Sequence, residues 1–133
     1  MKSNATITYE DDKVIKQFNK TKLGRERFNN ELRVYLRADH SKLDYIPKLI
    51  GWDIVNQRVI IEKIDRIRGG RKGREVEIAD LGKKFYEDTK LYHNDLVKVK
   101  RGSNVLVQRH TRKLYLIDFE LSTPVNIHKS TET

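Results

Sequence analysis

The chain contains no cysteine in its 133 residues. A disulfide framework, a thiolate-bound zinc finger and a thiol nucleophile are therefore excluded, and the fold does not depend on an oxidising compartment. Apolar residues are sparse at 37%, enough for one modest core and too few for two. Long hydrophobic runs are missing. The longest, residues 114–117, has four members, far below the ~20 that a membrane helix needs. Residues 1–12 lack the apolar centre of a signal peptide. No internal repeat and no low-complexity tract is present. These absences lead to the expectation of a single soluble domain over residues 1–133, placed in the cytoplasm.

Positive charge, in contrast, is in excess. Lysine and arginine number 28 against 19 aspartates and glutamates, a net charge of +9. Charged residues make up 35% of the chain, where roughly 25% is usual. Such a surplus suits contact with phosphates, in a nucleotide or a nucleic acid. It equally suits a solvated surface that keeps a protein soluble.

Residues 6–18 alternate and carry Ile7, Val14, Ile15 and Phe18, with Asp11 and Asp12 between the halves. The pattern predicts a β-hairpin. Residues 20–24 read as a loop. From Arg25 a helical period sets in, with Phe28, Leu32, Tyr35 and Leu36 on one face, fading near residues 38–41. Extended pieces follow at 48–53 and 58–64 around an Asn56-Gln57 turn. Residues 66–74 form a loop with three glycines and five basic residues. A second helix is predicted over 75–90, with Ile78, Leu81 and Phe85 as its buried stripe. Two short strands, 104–108 and 113–117, flank a basic turn at 109–112, and the tail from Asn126 is polar. This order gives an α+β fold with two unequal lobes.

Four separated pieces carry the chemistry: Lys16 at the end of a strand, Glu31 on the following helix, His93-Asn94-Asp95-Leu96 with Asn104 after it, and Ile117-Asp118-Phe119-Glu120. Taken singly, each has a plain structural reading. Lys16, for example, suits an edge strand, where lysines block aggregation. In this order, however, the pieces resemble the protein-kinase signature set of strand lysine, helix glutamate, H-R-D loop and D-F-G. The resemblance covers about residues 7–122. It is similar in style to atypical families such as RIO kinases, the kinase subunit of the KEOPS complex and lipopolysaccharide kinases, and to virus-encoded or effector mini-kinases.

The resemblance implies a truncated kinase-like fold, with a small β-rich N-lobe over about 6–64 and a reduced C-lobe over about 75–125. It implies ATP and Mg²⁺ as cofactors and a serine or threonine on a protein as acceptor. Lys16 would hold the α- and β-phosphates and Glu31 would hold Lys16. Asp118 and Asn104 would bind metal, Asp95 would take the acceptor's proton, and His93 would brace the loop. Glu62 and Ile64 would offer backbone groups to adenine, with Ile61 behind it.

The sequence also departs from the signature. No glycine precedes Gly24, so a glycine-rich phosphate loop is lacking, and so is the front strand that would carry it. Asn104 follows Asp95 by nine residues, where the signature has five, so residues 97–102 would have to bulge. Glu120 stands where the signature has glycine. Only 15 residues follow Asp118 in the sequence, so the expectation is a core without an activation loop or further helices. The surface behind Leu81 and Phe85 would then call for a protein partner or a second copy. The departures keep two other functions open: a pseudokinase that binds a partner, and a nucleic-acid-associated kinase-like subunit.

Overall fold

A computed structural model describes residues 4–96 and 104–126. Strands β1 (Ala5–Tyr9), β2 (Lys13–Phe18), β3 (Leu49–Asp53) and β4 (Arg58–Glu62) form an antiparallel sheet in the order β1-β2-β4-β3. β5 (Arg66–Ile67), β6 (Val105–Gln108) and β7 (Leu114–Leu116) form a second, three-stranded sheet in that order. Helix α1 (Lys22–Ser41) follows β2, and α2 (Glu75–Thr89) precedes β6. The architecture is α+β, as the sequence predicts.

The β1–β2 hairpin closes through Glu10 N–H to the Lys13 carbonyl at 2.9 Å. Its β-branched and aromatic residues suit a pleated surface. Helix α1 begins three residues before the predicted start. Thr21 caps it, its Oγ1 accepting the Gly24 N–H at 3.0 Å, which satisfies one orphan donor of the first turn. Gly24 is required there because a Cβ would lie 1.9 Å from the Asn19 carbonyl oxygen. At the other end Lys42 turns left-handed (φ 53°) and its N–H returns to Ala38 and Asp39, a common helix stop.

The buried stripe of α1 runs Gly24, Phe28, Glu31, Leu32, Tyr35 and Ala38. Leu36, expected on that stripe, is 40% exposed. A carboxylate in the middle of an apolar stripe is costly unless paired, so Glu31 marks where the helix meets the site. β5 is a second correction. The sequence reads 66–74 wholly as loop, yet Arg66 and Ile67 pair with Gln108 and Val107. A two-residue strand leaves no period to detect.

A single buried cluster joins Phe18, Phe28, Tyr35, Ile46, Phe85, Val105, Leu116 and Phe119, so both sheets and both helices share one core. Phe85 is fully buried, stacked on Phe119 at 5.4 Å, and Leu81 packs against the same cluster. The uncovered α2 face expected from the sequence is therefore closed at Phe85 by the chain itself. Among the described residues no helix is long and apolar enough to cross a membrane. The expected bulge at 97–102 and the tail beyond Asn126 lie outside the described residues.

Candidate functional site

Lys16 lies in mid-strand on β2, opposite Ile7 of β1 and Val59 of β4. Its side chain crosses to α1, where Nζ stands 3.0 Å from Glu31 Oε2. Two more carboxylates reach the same ammonium: Asp118 at 3.2 Å and Glu120 at 3.3 Å. Burial works to lower the Lys16 pKa, but Glu31, Asp118 and Glu120 outweigh it and hold the ammonium charged well above the usual lysine range. Burial pushes the Glu31 carboxyl up, and the Lys16 ammonium pulls against it. Glu31 also accepts the Phe119 N–H at 3.3 Å. One buried carboxylate thus fixes both the strand lysine and the backbone of the segment after β7.

Asp118 sits at φ +63°, a left-handed conformation that aspartate tolerates better than most residues. The turn sends its neighbours in different directions. Phe119 drives into the core between Tyr35, Phe85 and His93, with ring centroids 5.3–5.4 Å away. Asp118 and Glu120 emerge together at Lys16. Asn30 of α1 holds this turn by donating its Nδ2–H to the Glu120 carbonyl at 2.9 Å.

Lys16, Glu31 and Asp118 line a cavity of about 360 Å³, within the usual range for small-molecule sites. Ile61, Glu62 and Ile64 also line it, as do Val14, Val59 and Leu106. Glu62 N–H is engaged by the Lys48 carbonyl, and its carboxylate by the Lys48 N–H, both at 2.9 Å. The Glu62 N–H is therefore turned away from a ligand, and Ile64 supplies the nearby backbone N–H without a partner among the described residues. Ile7 and Tyr9 of β1 close the cavity in place of a glycine-rich turn.

The loop residues stand behind this wall. His93 is buried, and burial pushes its pKa below the ordinary 6.5. Its two ring nitrogens have different partners: Nε2 meets the Ile117 carbonyl at 2.8 Å, and Nδ1 accepts the Asp95 N–H at 3.2 Å. A neutral ring protonated on Nε2 satisfies both. Asn104 donates its Nδ2–H to the Asp95 carbonyl at 3.0 Å, and its own carbonyl accepts the Ile117 N–H at 3.0 Å. These bonds tie the Asp95 loop to the strand that presents Asp118. Asp95 and Asn104 themselves do not line the cavity. Asn94, also left-handed (φ 65°), donates to the Leu121 and Val125 carbonyls and to Thr123 Oγ1 at 2.9–3.0 Å, pinning the final described segment.

Glu120 as a third partner of Lys16, and the Asn30 and Asn94 clamps, are not read from the sequence. Glu120 reaches Lys16 through the left-handed turn at Asp118, which no local sequence pattern encodes. The asparagine clamps leave no pattern, because any loop tolerates asparagine.

The Asp118 and Glu120 carboxylates beside Lys16 are oxygen donors of the kind Mg²⁺ takes. Carboxylate and carboxamide oxygens are the hard ligands Mg²⁺ prefers, and three carboxylates around one ammonium leave negative charge for a cation to balance. Among the described residues no group of three or more acidic or imidazole side chains forms a ready metal cage. Mg²⁺ does not require one, since it usually takes one or two carboxylates together with substrate phosphates.

No protein-family model matches the chain, and no curated protein sequence does. A similar solved structure is that of WbdD crystallised with the kinase inhibitor LY294002, at TM-score 0.62 and 15% identity. The likeness covers 99% of this chain and 34% of WbdD, so the chain spans about a third of that protein's length. At this identity the likeness shows the fold alone: the chain folds like the matched third of WbdD, which is compatible with the expected kinase-like architecture.

Proposed function

We propose that the protein is an ATP- and Mg²⁺-dependent phosphotransferase acting on a serine or threonine hydroxyl of a protein, in the cytoplasm. The observation that carries this reading is the meeting of Lys16, Glu31 and Asp118 at one wall of a kinase-like cavity. Three residues separated by up to 102 positions converge within 3.3 Å. The four-stranded sheet with α1 then plays the N-lobe, and the remainder a reduced C-lobe.

The apolar walls at Val14, Ile61 and Leu106 would take the adenine ring, with the Ile64 N–H as donor. Lys16 would donate to the α- and β-phosphates while Glu31 keeps it in place. Asp118, and Asn104 through its carboxamide oxygen, would hold Mg²⁺, which neutralises the phosphate charge when bound. Asp95 would accept the acceptor's hydroxyl proton as the new P–O bond forms and the bond to ADP breaks. His93 and Asn104 hold the Asp95 backbone from both sides.

One observation favours a second reading, a nucleotide-binding pseudokinase. Glu120 occupies the Lys16 ammonium, while Asp95 and Asn104 stand back from the cavity.

The test is thermal unfolding with and without ATP and Mg²⁺, on wild type and Asp118→Ala. Saturation near 100 times Kd adds about 2.7 kcal/mol, a shift of several degrees. The expected result is a magnesium-dependent shift lost in Asp118→Ala. Transfer of labelled phosphate, abolished in Asp95→Ala, then distinguishes the enzyme from the pseudokinase. The absence of any shift overturns both readings.

A further inference from the structure

The two basic stretches of the sequence, 66–74 and 109–113, lie apart in the chain but are stitched into one face. β5 pairs Arg66 with Gln108. The Arg109 N–H donates to the Asp65 carbonyl at 2.8 Å, and its guanidinium to the Arg66 carbonyl at 3.2 Å. Arg74 donates to the Arg112 carbonyl at 2.6 Å. Gly70, at φ +79°, seats the loop on the hairpin, where a Cβ would stand 3.2 Å from the Val107 side chain. The face is thus a built surface rather than two loose loops.

Its charges do not cancel. Asp65, Glu77 and Asp44 are taken by Arg109, Arg74 and Lys113. Arg66, Arg68, Lys72 and Arg112 are exposed and have no carboxylate partner among the described residues. Arg66 also lines the cavity, so the face runs outward from the cavity mouth.

We infer that this face docks an acidic segment of a protein partner, carboxylate-rich and running alongside the cavity entrance. Arginine forks match carboxylates bidentately, and unpaired basic groups steer an acidic partner to the face. A nucleic acid fits less well. Asp65, Glu75 and Glu77 lie among the basic groups and interrupt the continuous positive groove that tracks a phosphate backbone, whereas a peptide can place its carboxylates only where the unpaired Arg66, Arg68, Lys72 and Arg112 stand. The binding stands independently of the phosphotransferase reading. Only its consequence, delivery of a hydroxyl to the cavity, rests on it.

The test is fluorescence anisotropy with a labelled aspartate- and glutamate-rich peptide bearing one serine, and with single-stranded RNA of equal charge. The variants are Arg68→Glu/Lys72→Glu and Arg112→Glu, all at exposed positions. Lys20→Glu/Lys22→Glu is the control for net charge. The expected result is peptide binding that weakens by about tenfold or more in the face variants and holds in the control. Peptide binding also holds in Asp118→Asn, where phosphate transfer is lost, so failure of docking and failure of catalysis are read separately. Equal losses in face and control variants, no peptide binding by wild type, or RNA bound more tightly than peptide would each overturn the inference.

Discussion

At the scale of single residues, Lys16 and Glu31 decide the site. Both are buried, at 9% and 2% exposure, and removing one partner of a buried pair costs about 3–5 kcal/mol. Lys16→Met is therefore expected to destabilise the protein strongly. The loss depends on pH. Without the ammonium, burial and the Asp118 charge raise the Glu31 pKa further above its ordinary 4.5. A carboxyl whose folded pKa lies above its unfolded value contributes stability that is present below the unfolded value and lost as pH rises through the folded one. The Lys16→Met deficit accordingly shrinks as pH falls toward 4.5, which urea titrations at several pH values will show. A deficit unchanged with pH would mean that Glu31 is not the orphaned charge. His93 has the opposite sign. Its folded pKa lies below 6.5, so its contribution is complete above 6.5 and is lost as pH falls, when protonation of Nδ1 breaks the bond from the Asp95 N–H. His93→Gln retains a donor for the Ile117 carbonyl and removes the titration. The expected outcome is a shallower acid-side decline of the urea midpoint in the variant than in wild type.

At the scale of elements, Gly24 separates propensity from packing. Alanine is the better helix former by about 1 kcal/mol, and on propensity alone Gly24→Ala stabilises α1. The Asn19 backbone oxygen, 1.9 Å from the required Cβ, reverses the sign. The expected change is a loss of about 1–3 kcal/mol, seen as a lower urea midpoint. A rise would show that residue 19 moves freely. The same contrast explains what the sequence discloses. Helices α1 and α2 are legible from their apolar helical period, and the strands β1, β2, β3, β4, β6 and β7 from apolar and β-branched runs bounded by turn residues. The start of α1 is missed because its cap, Thr21, precedes a glycine that reads as a loop. β5 is missed because it exists only by pairing with β6. Lys16, Glu31 and Asp118 can be picked out because their order along the chain follows a known signature, whereas their meeting with Glu120 arises from a left-handed turn at Asp118 that no local pattern encodes.

At the scale of the whole molecule, the question is whether the two sheets fold as separable halves. Two separate sheets suggest two bodies, but the buried cluster runs without a break from Phe18 on β2 through Phe28 and Tyr35 on α1 to Phe85, Leu116 and Phe119. Phe119 is the joint: its ring contacts Tyr35, Phe85 and His93 at 5.3–5.4 Å. A chain with few apolar residues has little area to spend on two independent cores, so these contacts make unfolding a single event. The chain provides its own reporter, because its one tryptophan, Trp52, stands on β3 at the edge of the first sheet, while α2 meets the junction through Phe85 on Phe119. Trp52 fluorescence and far-ultraviolet circular dichroism are expected to give coincident urea transitions. In Phe119→Ala, where an aromatic at the junction is cut away at a cost of about 3–5 kcal/mol, both transitions are expected to move down together. If fluorescence and dichroism separate in wild type, the halves are independent units. If Phe119→Ala splits transitions that coincide in wild type, Phe119 is the contact that makes them one.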